Sequence, residues 1–250
     1  MKAMPEHLPF SGILALIFLA FSAVSATAAC RDMAFEGASY TLCDVTLADD
    51  LRLFHSGTDG VLGSFSAVQD TLAPANERLG FAMNAGMYHP NRAPVGLLVQ
   101  NGQAQGTLIT SDGPGNFGLL PNGVFCVGKT FAVIESRAFA QAAPNCTYAN
   151  QSGPMLVIDG KLHPKFLRAS PSKFIRNGVG VSADGARAVF AISNDQVNFH
   201  TFARLFRDAL DLPNALYFDG KISRLYAPDL GRDDFGFPMG PIIGTVVPKG

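Results

Sequence analysis

The sequence predicts an α+β fold in which a largely antiparallel sheet, built from hairpins, carries a few packed helices. Tight-turn dipeptides recur between short β-rich runs, and two segments read as helices, one by its cap spacing and one by amphipathic periodicity. In addition, an even number of cysteines follows an apolar leader, which predicts a fold cross-linked in an oxidising compartment.

The leader comes first. Between Lys2 and Arg31 there is a single acidic residue, Glu6, and an apolar core, Ile13-Leu-Ala-Leu-Ile-Phe-Leu-Ala-Phe21, that runs into Ser25-Ala-Thr-Ala-Ala29. This layout predicts a signal peptide over residues 1–28 with an Ala-x-Ala site at Ala26-Thr27-Ala28. A membrane span needs roughly 20 predominantly apolar residues, and the strongly apolar run is shorter. The expected product is periplasmic or secreted, free of the membrane after cleavage. No linker-like run interrupts residues 29–250, which predicts a single domain. Cleavage removes Lys2 and Glu6, so the net charge stays at −1. That balance supplies no long-range field for nucleic acid or an anionic membrane. Anion binding is left to individually placed arginines.

Four cysteines, Cys30, Cys43, Cys126 and Cys146, follow the leader, and two disulfides are expected. A two-residue turn at Glu36-Gly37 places Cys30 opposite Cys43, which favours Cys30–Cys43 and Cys126–Cys146 among the three connectivities. Neither pair has the spacing of a structural zinc site.

The turn signals continue with Asn101-Gly102 after Pro94-Val-Gly-Leu-Leu-Val99, Asp159-Gly160 after Met155-Leu-Val-Ile158, and Asp184-Gly185 between Gly178-Val-Gly-Val-Ser182 and Ala188-Val-Phe-Ala-Ile192. Asn-Gly and Asp-Gly readily take the positive φ angles of hairpin turns. A first helix is expected to start at Ser66, with Gln69 at capping-box spacing, and to reach Leu72. A second presents Phe202, Leu205, Phe206, Ala209 and Leu210 on one buried face, with Arg204, Arg207 and Asp208 pointing away, and stops at Pro213. Ala215-Leu-Tyr-Phe218 then reads as a buried strand that delivers Asp219 to the sheet edge.

Gly123-Val-Phe-Cys-Val-Gly128-Lys129-Thr130 matches the nucleotide phosphate-loop pattern letter for letter. A phosphate loop needs flexible backbone at the start of a helix. Val, Phe, Cys and Val favour a strand, and Thr130-Phe-Ala-Val-Ile134 favours another, so Gly128-Lys129 is read as a hairpin turn. H-E-x-x-H and G-x-S-x-G are absent, and His55, His89, His163 and His200 have no metal-ligand pairing on one helix face. No metal or cofactor is expected. Glu36, Glu77 and Glu135 lie in runs that read as surface turns or helix, which leaves carboxylate chemistry to aspartate.

Four stretches place polar residues after apolar strands and beside glycines, where a rigid sheet offers side chains to a ligand. They contain Asn84 and Gly86; Ser152 and Gly153; Arg176 and Asn177; and Asp219, Gly220, Ser223 and Arg224. In this order the blocks resemble the phosphodiester glycosidase family. Asn84-Ala-Gly-Met-Tyr88 is similar to its N-G-G-x-F block and Gln151-Ser-Gly-Pro154 to its S-G block. Arg176-Asn-Gly-Val-Gly180 is similar to its R-x-x-x-G block, and Phe218-Asp-Gly-Lys-Ile-Ser223 to its L-D-G-G-x-S block. The resemblance runs from about Ala82 to Tyr226. Lys221 and Ile222 stand where the last block carries glycines, which fills space beside Asp219.

The resemblance implies hydrolysis of a sugar-1-phosphodiester, with a sugar phosphate or glycan as partner. A phosphate monoester is a better leaving group than a sugar hydroxyl, so the general acid of an ordinary glycosidase pair is less necessary. One carboxylate and one cation then suffice. Asp219 is expected as nucleophile or electrostatic stabiliser, and Arg176 on the phosphate through its planar fork. Asn84 and Ser152 are expected to orient sugar or phosphate, with Arg224 a second phosphate ligand. His200 reads either as a proton shuttle or as a polar residue of the helix's first turn; Asn194, with Asp195, is held in reserve. Two other classes compete: a non-catalytic carbohydrate-binding or envelope-assembly protein on the same scaffold, and a phosphodiesterase cutting the P–O bond, which would usually use metal ions.

Overall fold

The structure is a computed structural model that describes Met1 and residues 29–250; the rest of the expected signal peptide lies outside the described residues. In chain order the first half contains β1 (Cys30–Phe35), β2 (Ala38–Thr46), β3 (Asp50–Phe54), β4 (Ser56–Gly57), β5 (Gly60–Val61), α1 (Phe65–Leu72), β6 (Glu77–Asn84), β7 (Leu98–Gln100), β8 (Gln103–Gln105), β9 (Gly123–Val127) and β10 (Phe131–Glu135). The second contains α2 (Ser136–Ala142), β11 (Tyr148–Ser152), β12 (Met155–Ile158), β13 (Lys161–Leu162), β14 (Asn177–Val181), β15 (Arg187–Ser193), α3 (Phe199–Arg204), β16 (Asn214–Asp219), β17 (Leu225–Ala227), β18 (Arg232–Asp233) and β19 (Ile242–Pro248).

The strands form a seven-stranded sheet, order β1-β2-β15-β14-β16-β12-β13, and two five-stranded sheets, β10-β9-β11-β7-β8 and β18-β17-β6-β19-β3. Strands β4 and β5 pair separately. The sheets are mostly antiparallel and the α-helices short, a largely sheet-built α+β fold. Among the described residues no helix is long and apolar enough to cross a membrane.

The hairpins form where the turn dipeptides stand. Glu36 and Gly37 have φ of 49° and 77°, Asn101 and Gly102 53° and 75°, and Asp159 and Gly160 46° and 76°. Two successive positive φ values match the twist of the strands they join. At the first of these turns the register sets Cys30 opposite Cys43, and the two sulfurs are bonded. Cys126 and Cys146 are bonded as well, tying β9 to the chain entering β11.

Alternation along the strands decides what each face buries. In β15, Phe190 and Ile192 join a core shared with Phe81 and Met83 of β6 and with Phe125 of β9. Val189 and Ala191 point the other way and pack with Phe202, Leu205 and Phe206. The seven-stranded sheet is thus buried on both faces. Strand β16 repeats the pattern: Leu216 and Phe218 enter the first core, and Ala215 and Tyr217 the second.

The helices differ from expectation in their beginnings. Helix α1 is capped by Ser64, whose hydroxyl accepts from the Ala67 N–H at 3.1 Å, so Ser66 lies inside it. Gln69 does not reach back to a cap. Its carbonyl accepts from the Leu79 N–H (2.7 Å) and its amide donates to the Tyr226 hydroxyl (3.1 Å), fastening the helix to β6 and β17. The second expected helix starts earlier, with Asn198 accepting from the Thr201 N–H (2.9 Å), and continues from α3 into a π-helical turn at Leu205–Ala209. Its expected face is nevertheless inward: Phe202, Leu205, Phe206 and Leu210 are buried. Helix α2 was not expected. The Glu135 carboxylate caps it by accepting from the Arg137 and Ala138 N–H groups. The phosphate-loop lettering falls on β9 and the turn that leads into β10, as the strand reading anticipated.

Replacing both Cys126 and Cys146 by Ser should lower the unfolding free energy by about 3 kcal/mol, the scale for a loop of this length. Urea denaturation of the variant under non-reducing conditions measures it.

Candidate active site

Strands β6, β14 and β16 end side by side, and two buried amides lock their ends together. Asn177 donates from Nδ2 to the Asn84 carbonyl (2.8 Å) and to Asn84 Oδ1 (3.0 Å). Its own Oδ1 accepts from the Asp219 N–H at 3.1 Å. Asn84 Oδ1 also accepts from the Arg224 N–H at 2.9 Å. Ser223 donates to the Asp219 carbonyl (2.7 Å), with the Ile175 carbonyl at 3.0 Å, and so closes the turn after β16. Ser152 donates to the Phe218 carbonyl at 3.0 Å. Asn84, Asn177 and Ser152 are buried and bonded to protein, which makes them supports of the site rather than its surface.

What these supports hold is Asp219. Its Oδ1 accepts from the N–H groups of Gly220 (2.6 Å) and Lys221 (2.9 Å). Burial pushes its pKa above the usual carboxylate value, against the pull of those N–H groups and of the Lys221 charge. The carboxylate lines a cleft of about 550 Å³ together with Tyr88, Asn116, Phe117, Phe174 and Tyr217. This size lies in the range of small-molecule sites.

Beneath Gly220 two buried polar groups face each other. Tyr217 and Asp219 share a face of β16, two residues apart. The Tyr217 hydroxyl and Arg176 Nη1 are buried without a hydrogen-bond partner among the described residues. Arg176 is 1% exposed. Its guanidinium lies 3.7 Å above the Phe199 ring and donates from Nε to the Val197 carbonyl (2.8 Å) and from Nη2 to the Ser172 carbonyl (3.0 Å). The fork expected on a phosphate is therefore under the cleft floor, two of its nitrogens already engaged. Burial pushes the Tyr217 hydroxyl pKa upward, and the Arg176 charge pulls it back. A side chain at Gly220 would overlap the Tyr217 hydroxyl.

The remaining expected residues are distributed more widely. Gly86 gives room to Asn150, whose amide donates to the Ala85 carbonyl, and Gly153 packs on Asn122. Arg224 lies across the turn from Asp219, lining a second pocket. Asn194 ties Ser39 to Arg232, and Asp195 accepts from the Ser39 N–H. His200 sits among Arg204, Arg168 and Glu36 in the first turn of α3. Neither Asn194 nor His200 lines the cleft. Tyr217 and the Pro114–Phe117 segment were not singled out from sequence. Tyr217 reads as core in a buried strand, and a loop carries no periodicity; Tyr88, the last residue of the Asn84 block, was the available signal.

A cleft at strand ends, walled by an acid and aromatic rings, gives this sheet-built protein a site of small-molecule size. A family model described as phosphodiester glycosidase matches residues 77–232, and all four sequence blocks fall within that stretch. The chain belongs to the phosphodiester glycosidase family. It is 34% identical over 217 residues to the uncharacterized protein YigE of Escherichia coli (strain K12), covering 85% of this chain and 83% of that one. Its fold is similar to the zebrafish N-acetylglucosamine-1-phosphodiester alpha-N-acetylglucosaminidase catalytic domain auto-inhibited by its pro-peptide. The TM-score is 0.60 at 13% identity, over 86% of this chain and 81% of that one.

Gly220→Ala should cost about 1–3 kcal/mol, as overpacking does. Adding Tyr217→Phe, which removes the overlapped oxygen, should restore most of the loss. Thermal unfolding of the single and double variants reads both effects.

Proposed function

We propose that the protein is an exported hydrolase that cleaves the C1–O bond of a sugar-1-phosphodiester, releasing free sugar and a phosphate monoester. Family membership supports the reaction class. The observation that carries the assignment is Asp219: a carboxylate with one oxygen fixed by two backbone N–H groups, set in the wall of a cleft of monosaccharide size.

In this reading the sugar ring packs on the cleft's Tyr88, Phe117 and Phe174, with C1 toward Asp219. Asp219 Oδ2 attacks C1 or stabilises its developing positive charge. The electron pair of the C1–O bond leaves with the phosphate monoester. A water then supplies the hydroxyl at C1 and returns a proton to solvent. A raised pKa makes the ionised carboxylate a stronger base toward carbon. Arg176 acts from below the floor, where its charge and the buried Tyr217 hydroxyl favour negative charge above Gly220. The Asn84–Asn177 pair and Ser152 hold these groups in register, and are positioning residues.

Two cross-linked cysteine pairs and the apolar leader support action outside the cytoplasm.

Incubation with sugar-1-phosphodiesters differing in the sugar should release reducing sugar, without oxygen-18 from labelled water entering phosphate. Label in the phosphate would mean P–O cleavage; binding without release would mean a carbohydrate-binding protein. Asp219→Asn should lower turnover by about a thousandfold or more while leaving the protein folded; full activity in that variant ends the assignment. The pH profile supplies a second check. Activity needs the ionised acid, so the acidic limb should fall at higher pH than the ~3.9 of a free aspartate. Because the folded protein holds this proton more tightly than the unfolded chain, the stability the group contributes is present at low pH. It is lost as pH rises through the folded pKa.

A further inference from the structure

The turn Gly220-Lys221-Ile222 is a partition. On one side is the Asp219 cleft; on the other is a second pocket of about 450 Å³ lined by Lys221, Arg224, Asp234, Phe235, Gly236 and Phe237, among others. Lys221 and Ile222 line both.

Arg224 is 8% exposed, yet its guanidinium makes no hydrogen bond or ion pair with any described residue. Its side-chain nitrogens therefore open onto the water of the pocket, with Asp234 and Tyr88 as the nearest opposing groups. Its neighbour Asp234 is already engaged by Arg232 (2.8 Å) and by the Leu225 N–H (2.9 Å). Asp233, exposed at the rim, partly offsets the charge of Lys221. The segment over Arg224 is fixed at both ends: Asp234 N–H donates to the Leu225 carbonyl (3.0 Å), and the Tyr88 hydroxyl donates to the Pro238 carbonyl (3.1 Å). Between these anchors Gly236, at φ 145°, lies so close to Arg224 that a Cβ there would be 2.7 Å from Nη2. Phe235 and Phe237 flank it, 96% and 78% exposed. Two large rings held in water beside an unpaired guanidinium form a surface that awaits a ligand.

We propose that this pocket binds the continuation of the substrate beyond the scissile phosphate, an acidic oligosaccharide. Its sugar faces stack on Phe235 and Phe237, and its phosphate or carboxylate groups meet Arg224 and Lys221. The proposal rests on the functional reading for the direction of the chain, from the Asp219 cleft over the Lys221–Ile222 ridge. A neutral glycan leaves Arg224 unmatched, and an isolated small anion leaves both rings exposed.

The test is calorimetric titration of the mature full chain with tetragalacturonate and with cellotetraose, which carry no phosphodiester. The Asp219→Asn protein is titrated with a phosphodiester-linked tetramer of glycosyl-1-phosphate. The acidic tetramers should bind about tenfold or more tighter than cellotetraose, a difference that salt reduces. The better of the two identifies the anion. Phe235→Ala with Phe237→Ala should abolish the gain, and Arg224→Gln should weaken its salt dependence, leaving the part due to Lys221. Cleavage of a minimal sugar-1-phosphodiester should be unchanged in the double Phe variant. Equal affinity for neutral and acidic tetramers, or a gain that survives loss of both rings, overturns the proposal. Failure of the wild-type protein to cleave the minimal substrate, with the acidic-tetramer gain intact, refutes the hydrolase reading while the second site stands.

Discussion

The contact between Asn84 and Asn177 is the constraint on which the site depends. Two amides buried away from water are stable together because nearly all of their polar atoms find partners. Those partners are the other amide and backbone groups of β6, of β16 and of the turn that follows β16. Deleting either amide would strand the other's donors and acceptors, at about 1–3 kcal/mol for each buried group left unpaired. The same bonds set the position of the Asp219 and Arg224 backbones, so stability and geometry are enforced by one network.

The sheet carrying this network is rigid for a second reason. Apolar residues alternate between two separate cores along β15 and β16, so neither face can shift without opening one of them. Tyr217 belongs to this alternation while its hydroxyl lies beneath the cleft floor, linking the core under α3 to the acid two residues on. Arg176 is held on the same side by Phe199 and by the Val197 carbonyl. The polar groups below Asp219 are thereby placed by packing, not by a loop.

Local chemistry made much of the fold legible in the sequence. The turn at Glu36-Gly37 depends on two adjacent residues, and the register that follows brings Cys30 to Cys43. Phe202, Leu205, Phe206 and Leu210 announce their burial by spacing alone. Helix α2 was not legible because its cap is Glu135, which lies at the end of a strand pattern and does not belong to the residues that usually begin helices. Ser64 and Ser66 both suit a cap, and the choice was settled by where Gln69 finds tertiary partners. In the site, Asp219 was readable from its place after an apolar strand. That Asn84 and Ser152 face the protein and that Arg176 lies under the floor depends on contacts between segments far apart, for which one sequence holds no pattern.

Floor and rim differ in how much change they can absorb. At positions 86, 153 and 220 a methyl group would overlap its neighbours, which opposes drift there. Lys221 is exposed on the ridge, and the side chains of Phe235 and Phe237 project from an anchored loop. Descendants of such a scaffold can alter what the rim meets while inheriting the carboxylate beside it unaltered.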